Sequence, residues 1–162
     1  MRHAYLKTLF AVLVAVLLVG TLTTVPAQAV TQSWGHIYLG ADNGWRQAEA
    51  YGTAGWDGQP WVRARYRDYN GYSDNDHVFV QVKFYKYESW VCGINGSMCY
   101  GYRLKATKET SMNYGVYAWK SEEVRLGHSA SGRWSVRARV CDRDAKTGHV
   151  DCSPWTRSMQ VH

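Results

Sequence analysis

Past residue 22 the chain has no second long apolar run, no block of Lys or Arg, no Cys-x-x-Cys and no pair of histidines at metal-binding spacing. Each absence removes a class. A spanning helix needs roughly 20 apolar residues, so no later segment is a candidate. Without a basic block nothing resembles a nucleic-acid arm, so neither nucleic acid nor, after leader removal, a membrane is expected as partner. Without paired Cys or His ligands a metal centre has no support, and no cofactor is expected. No stretch of about ten residues after the leader carries a helical stripe, which predicts an all-β chain.

Catalytic constellations are also missing. The nearest approach to a nucleophile elbow is Gly127-His128-Ser129-Ala130-Ser131-Gly132, where the last glycine comes one position late and a hairpin turn is expected. The acid pairs Glu122-Glu123 and Asp142 with Asp144 sit in polar strand or turn sequence, not in a predicted cleft. No catalytic residue is assigned, and the chain is read as a non-enzyme. The oxygen-rich stretch from Asp68 to Asp76 could ligate calcium, but it lacks the distal bidentate Glu of a helix-loop-helix site and reads as an Asx-rich turn.

What is present starts with a leader. Arg2, His3 and Lys7 precede an apolar stretch from Leu9 to Leu22, and Ala27-Gln28-Ala29 supplies a cleavage site, so residues 1–29 read as a secretory signal peptide. The leader holds two of the 19 Lys and Arg and none of the 13 Asp and Glu, leaving a mature net charge of +4. An exported chain meets oxidising conditions, so Cys92, Cys99, Cys141 and Cys152 are expected as structural disulfides. Pairing 92 with 99 and 141 with 152 is favoured, because each pair is close in sequence and flanks turn residues.

A repeat organises the rest. Shifted by 74 residues, Trp45 falls on Trp119, Glu49 on Glu123, Gly58 on Gly132, Val62-Arg63-Ala64-Arg65 on Val136-Arg137-Ala138-Arg139, and Asp68 on Asp142. These are eight identities in 24 residues, read as a duplication of a unit at 30–91 into a unit at 92–162. Strands are expected near 34–40, 44–51, 60–67, 77–88, 98–107, 115–125, 133–141 and 155–161. Four strands bury little alone, so the expected fold is an antiparallel β-sandwich in which two duplicated four-stranded units pack face to face, connected by Ser89 to Met98. Tandem mini-domains are the alternative.

Alternation places Val62, Ala64 and Tyr66 inward with Arg63, Arg65 and Arg67 outward, and repeats this with Val136, Ala138 and Val140 against Arg137 and Arg139. Val78, Val80, Val82 and Phe84 point inward, Gln81, Lys83 and Tyr85 outward. Trp45 and Trp119 are expected in the core because the duplication preserves them. Of the remaining aromatics, Tyr69, Tyr72, Tyr85, Tyr87 and Trp90 are candidate interface residues, together with Arg63, Arg65, Arg137 and Arg139, since exposed rings beside arginine mark protein interfaces. Residues from Val30 to about Trp34 precede the first strand and are expected as a free arm suited to strand addition.

Two resemblances follow. Trp134-Ser135-Val136-Arg137-Ala138-Arg139 followed by Ser153-Pro154-Trp155-Thr156 looks like the last two strands of fibronectin type III domains, which implies a fold and no activity. In size, leader and internal doubling the chain resembles the small adaptor subunit of actinobacterial umbrella toxin particles, which joins a lectin subunit to a stalked toxin. That resemblance implies an amino-terminal strand docking into the lectin and a body that grips the stalk. The expected function is therefore a secreted protein-binding adaptor of an extracellular complex. A carbohydrate- or cell-wall-binding module is the alternative, and an inhibitor of proteases acting through the loop between Cys92 and Cys99 is the third.

Overall fold

A computed structural model describes residues 31–40, 46–69 and 77–161. The leader, Trp45, Tyr72 and positions 70–76 of the oxygen-rich stretch lie outside the described residues. Among the described residues nine strands form: β1 (Gln32–Gly40), β2 (Arg46–Trp56), β3 (Pro60–Asp68), β4 (His77–Val91), β5 (Met98–Glu109), β6 (Lys120–Arg125), β7 (Trp134–Arg143), β8 (Val150–Cys152) and β9 (Met159–Val161). No helix among the described residues is long and apolar enough to cross a membrane.

The strands make two antiparallel sheets packed as a sandwich, ordered β1-β2-β3-β6 and β5-β4-β7-β8, with β9 also on β7. The core draws on both: Ala48, Ala50 and Ala54 of β2, Val62, Ala64 and Tyr66 of β3, Val78, Val80, Val82 and Phe84 of β4, and Val136, Ala138 and Val140 of β7. Period-two alternation in β3, β4 and β7 supplies these rows directly. Where two backbones pass closely the sequence has glycine. A Cβ at Gly52 would stand 2.0 Å from the Arg63 carbonyl and 2.7 Å from the Trp34 ring.

The two sheets are not the two repeat units. β4, from the first unit, lies in the second sheet between β5 and β7, and β6, from the second unit, closes the first sheet against β3. Gly58 (φ 91°) and Gly132 (φ 92°) are equivalent in the repeat and share a left-handed backbone. Around Gly58, β2 folds back on β3 as a hairpin, whereas the segment through Gly132 carries the chain from one sheet to the other. Residues 127–133 are thus a crossover, not the expected hairpin turn.

Other expectations also change. Gln32–Trp34 is no free arm, because β1 pairs with β2 from Gln32↔Ala54 onward and Trp34 is buried. Ser89 to Met98, expected as a connector, is the end of a hairpin, since β4 runs to Val91 and pairs with β5 up to Val91↔Met98. Trp119, expected in the core, is outside it, whereas Tyr66 is fully inside it as its alternation places it. β8 was not expected. Both favoured disulfides form: Cys92–Cys99 closes the β4–β5 hairpin and Cys141–Cys152 joins β7 to β8. The fibronectin-like segments lie side by side. Ser153 N donates to the Val140 carbonyl and Thr156 N to the Ala138 carbonyl, and Trp134 then pairs with Val161 of β9.

Candidate interaction surface

The outer face of the second sheet is one surface made from two lengths of β4. Along Gln81–Lys86, β4 lies between β5 and β7, but its register with β7 ends at Lys86↔Trp134. Beyond a last bond from Tyr87 N to the Arg133 carbonyl, β4 and β5 continue alone as a two-stranded arm. A bulge between Phe84 and Tyr85 leaves Lys105 unpaired and sets Tyr85 opposite Leu104, Tyr87 opposite Tyr102, Ser89 opposite Tyr100 and Val91 opposite Met98. Alternation then puts all eight on the outer face.

That row is apolar and open. Tyr87, Tyr102, Leu104, Met98, Val91 and Tyr100 are 38 to 66 % exposed, and Ile94 at the tip is fully exposed. Contiguous exposed apolar surface of this kind marks interaction sites. Tyr87 and Tyr102 meet edge to face at 5.3 Å, and the Tyr102 hydroxyl donates to Gln160 of β9, which ties the arm to the body. The arm's other face is polar. Lys105 Nζ reaches Glu88 at 2.7 Å, and Arg103 lies over Trp90 at 5.3 Å. The Lys105 hydrogen bond holds the Glu88 carboxyl below its ordinary value. A zipped polar back and the disulfide at the tip keep the open face formed without a third strand.

On the body the same outer face turns cationic. Lys83 of β4 stands directly opposite Arg137 of β7, and Gln81 opposite Arg139. Arg139 and Lys83 lie over the Trp155 ring at 4.4 and 4.5 Å, and Arg137 over Tyr85 at 5.8 Å. Gln81 accepts from Arg139 Nε at 2.9 Å and donates to Glu109 at 2.9 Å.

The outer face of the first sheet uses the same side chains differently. Arg63 pairs with Glu123 at 2.5 Å, and Arg67 with the buried Glu49 at 3.0 Å. Glu49 also meets His36 Nδ1 at 2.8 Å. Arg65 lies over Tyr51 and Trp119 at 5.6 and 5.4 Å, and Arg67 over Trp119 at 4.4 Å. Trp119 stays outside because these guanidiniums hold it there as a lid. Between the rows Thr53–Arg63–Glu123 and Tyr51–Arg65–Ser121 runs a groove of about 500 Å³, also lined by Ser33.

The candidate residues therefore divide among three places. Tyr85, Tyr87, Arg137 and Arg139 share the outer face of the second sheet. Trp90 is on the back of the arm. Arg63 and Arg65 face out from the first sheet, with Tyr69 at the end of β3 beside Arg67 and Tyr117. Sequence reasoning missed Tyr100, Tyr102, Leu104 and Met98, although their alternation was visible, and also Lys83 and Trp155 as their basic continuation. Among the described residues no three His, Cys, Asp or Glu side chains cluster as a metal site requires. No protein-family model matches the chain, and no curated protein matches it significantly.

Proposed function

We propose that the chain is an exported, non-enzymatic interaction module that joins other secreted proteins. The observation that carries this reading is the open aromatic and aliphatic row on the β4–β5 arm, presented by a disulfide-closed hairpin that extends beyond β7. Tyr-rich, weakly charged surface rimmed by arginine suits the buried centre of a protein interface. The resemblance to the umbrella toxin adaptor gives the proposal a concrete form, with a lectin and a toxin stalk as the joined proteins. The strand that this resemblance would insert into the lectin is not free in residues 32–40, which complete the first sheet.

The test is recovery from culture medium of the tagged full chain, with co-purifying proteins identified and rebound as pure components. A secreted protein captured at fixed stoichiometry, and lost with Tyr100→Ser/Leu104→Ser while thermal unfolding stays unchanged, supports the reading. Equal capture by the variant rejects the arm as the interface.

Carbohydrate recognition is the second reading, and the groove on the first sheet favours it, since it sets the Tyr51 ring beside Ser33, Thr53, Ser121 and Glu123 in a mostly apolar lining. Against it, Trp61, Trp90, Trp119, Trp134 and Trp155 each carry a cation over the ring, the position a stacked pyranose would take. Saturable retention on chitin, cellulose or peptidoglycan, abolished by Arg65→Ala, would favour the sugar reading over the adaptor.

A further inference from the structure

The two copies of Val-Arg-Ala-Arg differ in what neutralises them. On β3 two of the three outward arginines have a carboxylate partner, Glu123 for Arg63 and Glu49 for Arg67. On β7 neither Arg137 nor Arg139 forms an ion pair among the described residues, and Arg137 faces a second cation, Lys83, across the strand pair. Like charges set directly opposite on a sheet are destabilising. Among the described residues, Glu109 on this part of the face meets the arginines through Gln81, which donates to it and accepts from Arg139.

The three cations are also held in place. Trp155 and Tyr85 support their heads, and Gln81 fixes Arg139. Arg137 and Arg139 are two residues apart on one strand, about 6.6 Å, and Lys83 is on the neighbouring strand about 4.8 Å away. Three oriented cations whose strand positions lie within about 8 Å, with no ion-pair acid among the described residues, form an anion site that the fold itself leaves unfilled. Directly along the same face lies the apolar row of the arm, from Tyr85 and Leu104 to Val91 and Met98.

We propose that this face recognises a protein partner carrying a carboxylate cluster beside an apolar patch, the cluster seated on Lys83, Arg137 and Arg139 and the patch on the arm. The inference rests on the reading of the chain as an interaction module and adds the partner's chemistry. An acidic protein segment is favoured over a polyanion such as a sulfated or phosphorylated polysaccharide, because a polyanion has no apolar surface to cover Tyr100, Tyr102 and Leu104. It is favoured over an anionic bilayer because the cations lie against rings in mid-sheet and do not project from the tip beside Ile94.

The experiment uses the purified full chain and the partner recovered with it. Association rates are measured over a salt series for wild type, for Arg137→Gln/Arg139→Gln, and for Arg65→Gln as a single-charge control on the opposite sheet. In parallel, zero-length carbodiimide crosslinking joins Lys83 to any carboxylate it touches. The expected result is about a tenfold slower association and a flatter salt dependence for the β7 variant, no change for Arg65→Gln, and a Lys83 crosslink to a partner Asp or Glu. Salt-independent association without that crosslink, in a complex still abolished by Tyr100→Ser/Leu104→Ser, overturns the acidic partner while leaving the interaction module intact. Binding of dextran sulfate or phosphatidylglycerol vesicles through the same arginines, without a protein crosslink, replaces the proposed occupant. Failure to recover any protein partner removes both the inference and the reading beneath it.

Discussion

Val62-Arg63-Ala64-Arg65 and Val136-Arg137-Ala138-Arg139 lie on opposite sheets of one sandwich and treat its core alike. Both bury Val and Ala and both turn arginine outward. They differ in everything decided by neighbouring strands. β3 lies between β2 and β6, which bring Glu49 and Glu123 to its arginines, whereas β7 lies beside β4, which brings Lys83 and Gln81. A repeated local code therefore fixes which way side chains point, and pairing decides whether the resulting surface is internally neutralised or left to a partner.

The core should break first and equally in both copies. Val62→Asp and Val136→Asp each bury an unpaired charge at a fully enclosed position and should cost about 4 kcal/mol or more, enough to prevent folding, read by denaturant unfolding. A large asymmetry between them would mean that the two sheets do not share one core.

Next come the staples. Replacing Cys141 and Cys152 by Ser should lower global stability by about 2 to 3 kcal/mol. Replacing Cys92 and Cys99 should instead release the arm, with faster amide exchange at Tyr87–Val91 and Met98–Tyr102 and little change in the body's exchange.

How much of this was legible in the sequence follows from the same particulars. Alternation in 60–67, 77–88 and 133–141 gave the core rows and the arginine faces, because period two acts within one strand. The disulfides were legible because each closes a short loop. The arm was not, since Tyr85, Tyr87, Ser89 and Val91 continue one alternation and nothing in it marks Lys86 as the last residue paired to β7. Trp119 was misplaced for a related reason. Its repeat mate suggested burial, but Arg65 and Arg67, distant in sequence, hold it on the surface. The roles of Gly58 and Gly132 diverge only when the sheets assemble.

Smaller effects should sharpen the contrast between the faces. Glu123→Gln removes the carboxylate shared by Arg63 and Arg125 and should destabilise by up to about 1 kcal/mol. Arg137→Glu should do the reverse, stabilising by a few tenths of a kcal/mol by replacing the like-charge pair with Lys83, while it weakens partner binding. Equal signs for the two substitutions in thermal unfolding would erase the difference claimed for the faces.

The smallest expected effect is on pH dependence. Asp144 is held below its ordinary 3.8 by the amides of Thr147 and Lys146, and Glu88 below its ordinary 4.5 by the Lys105 hydrogen bond. A carboxyl lowered on folding contributes stability above its unfolded value and loses it as pH falls through the folded value. Both contributions should thus be complete at neutral pH and fade below about pH 4. Amide exchange followed on acidification should show the β7–β8 turn and the arm loosening before the core.

The most direct measurement of the second-sheet face as the docking surface is side-chain footprinting by hydroxyl radicals, with the chain alone and bound to its secreted partner. Protection of Tyr100, Tyr102, Leu104 and Trp155, with Tyr51 and Trp119 reacting equally in both states, is the predicted result. Protection of Tyr51 and Trp119 while the arm stays reactive would move the interface to the first sheet and contradict the assignment.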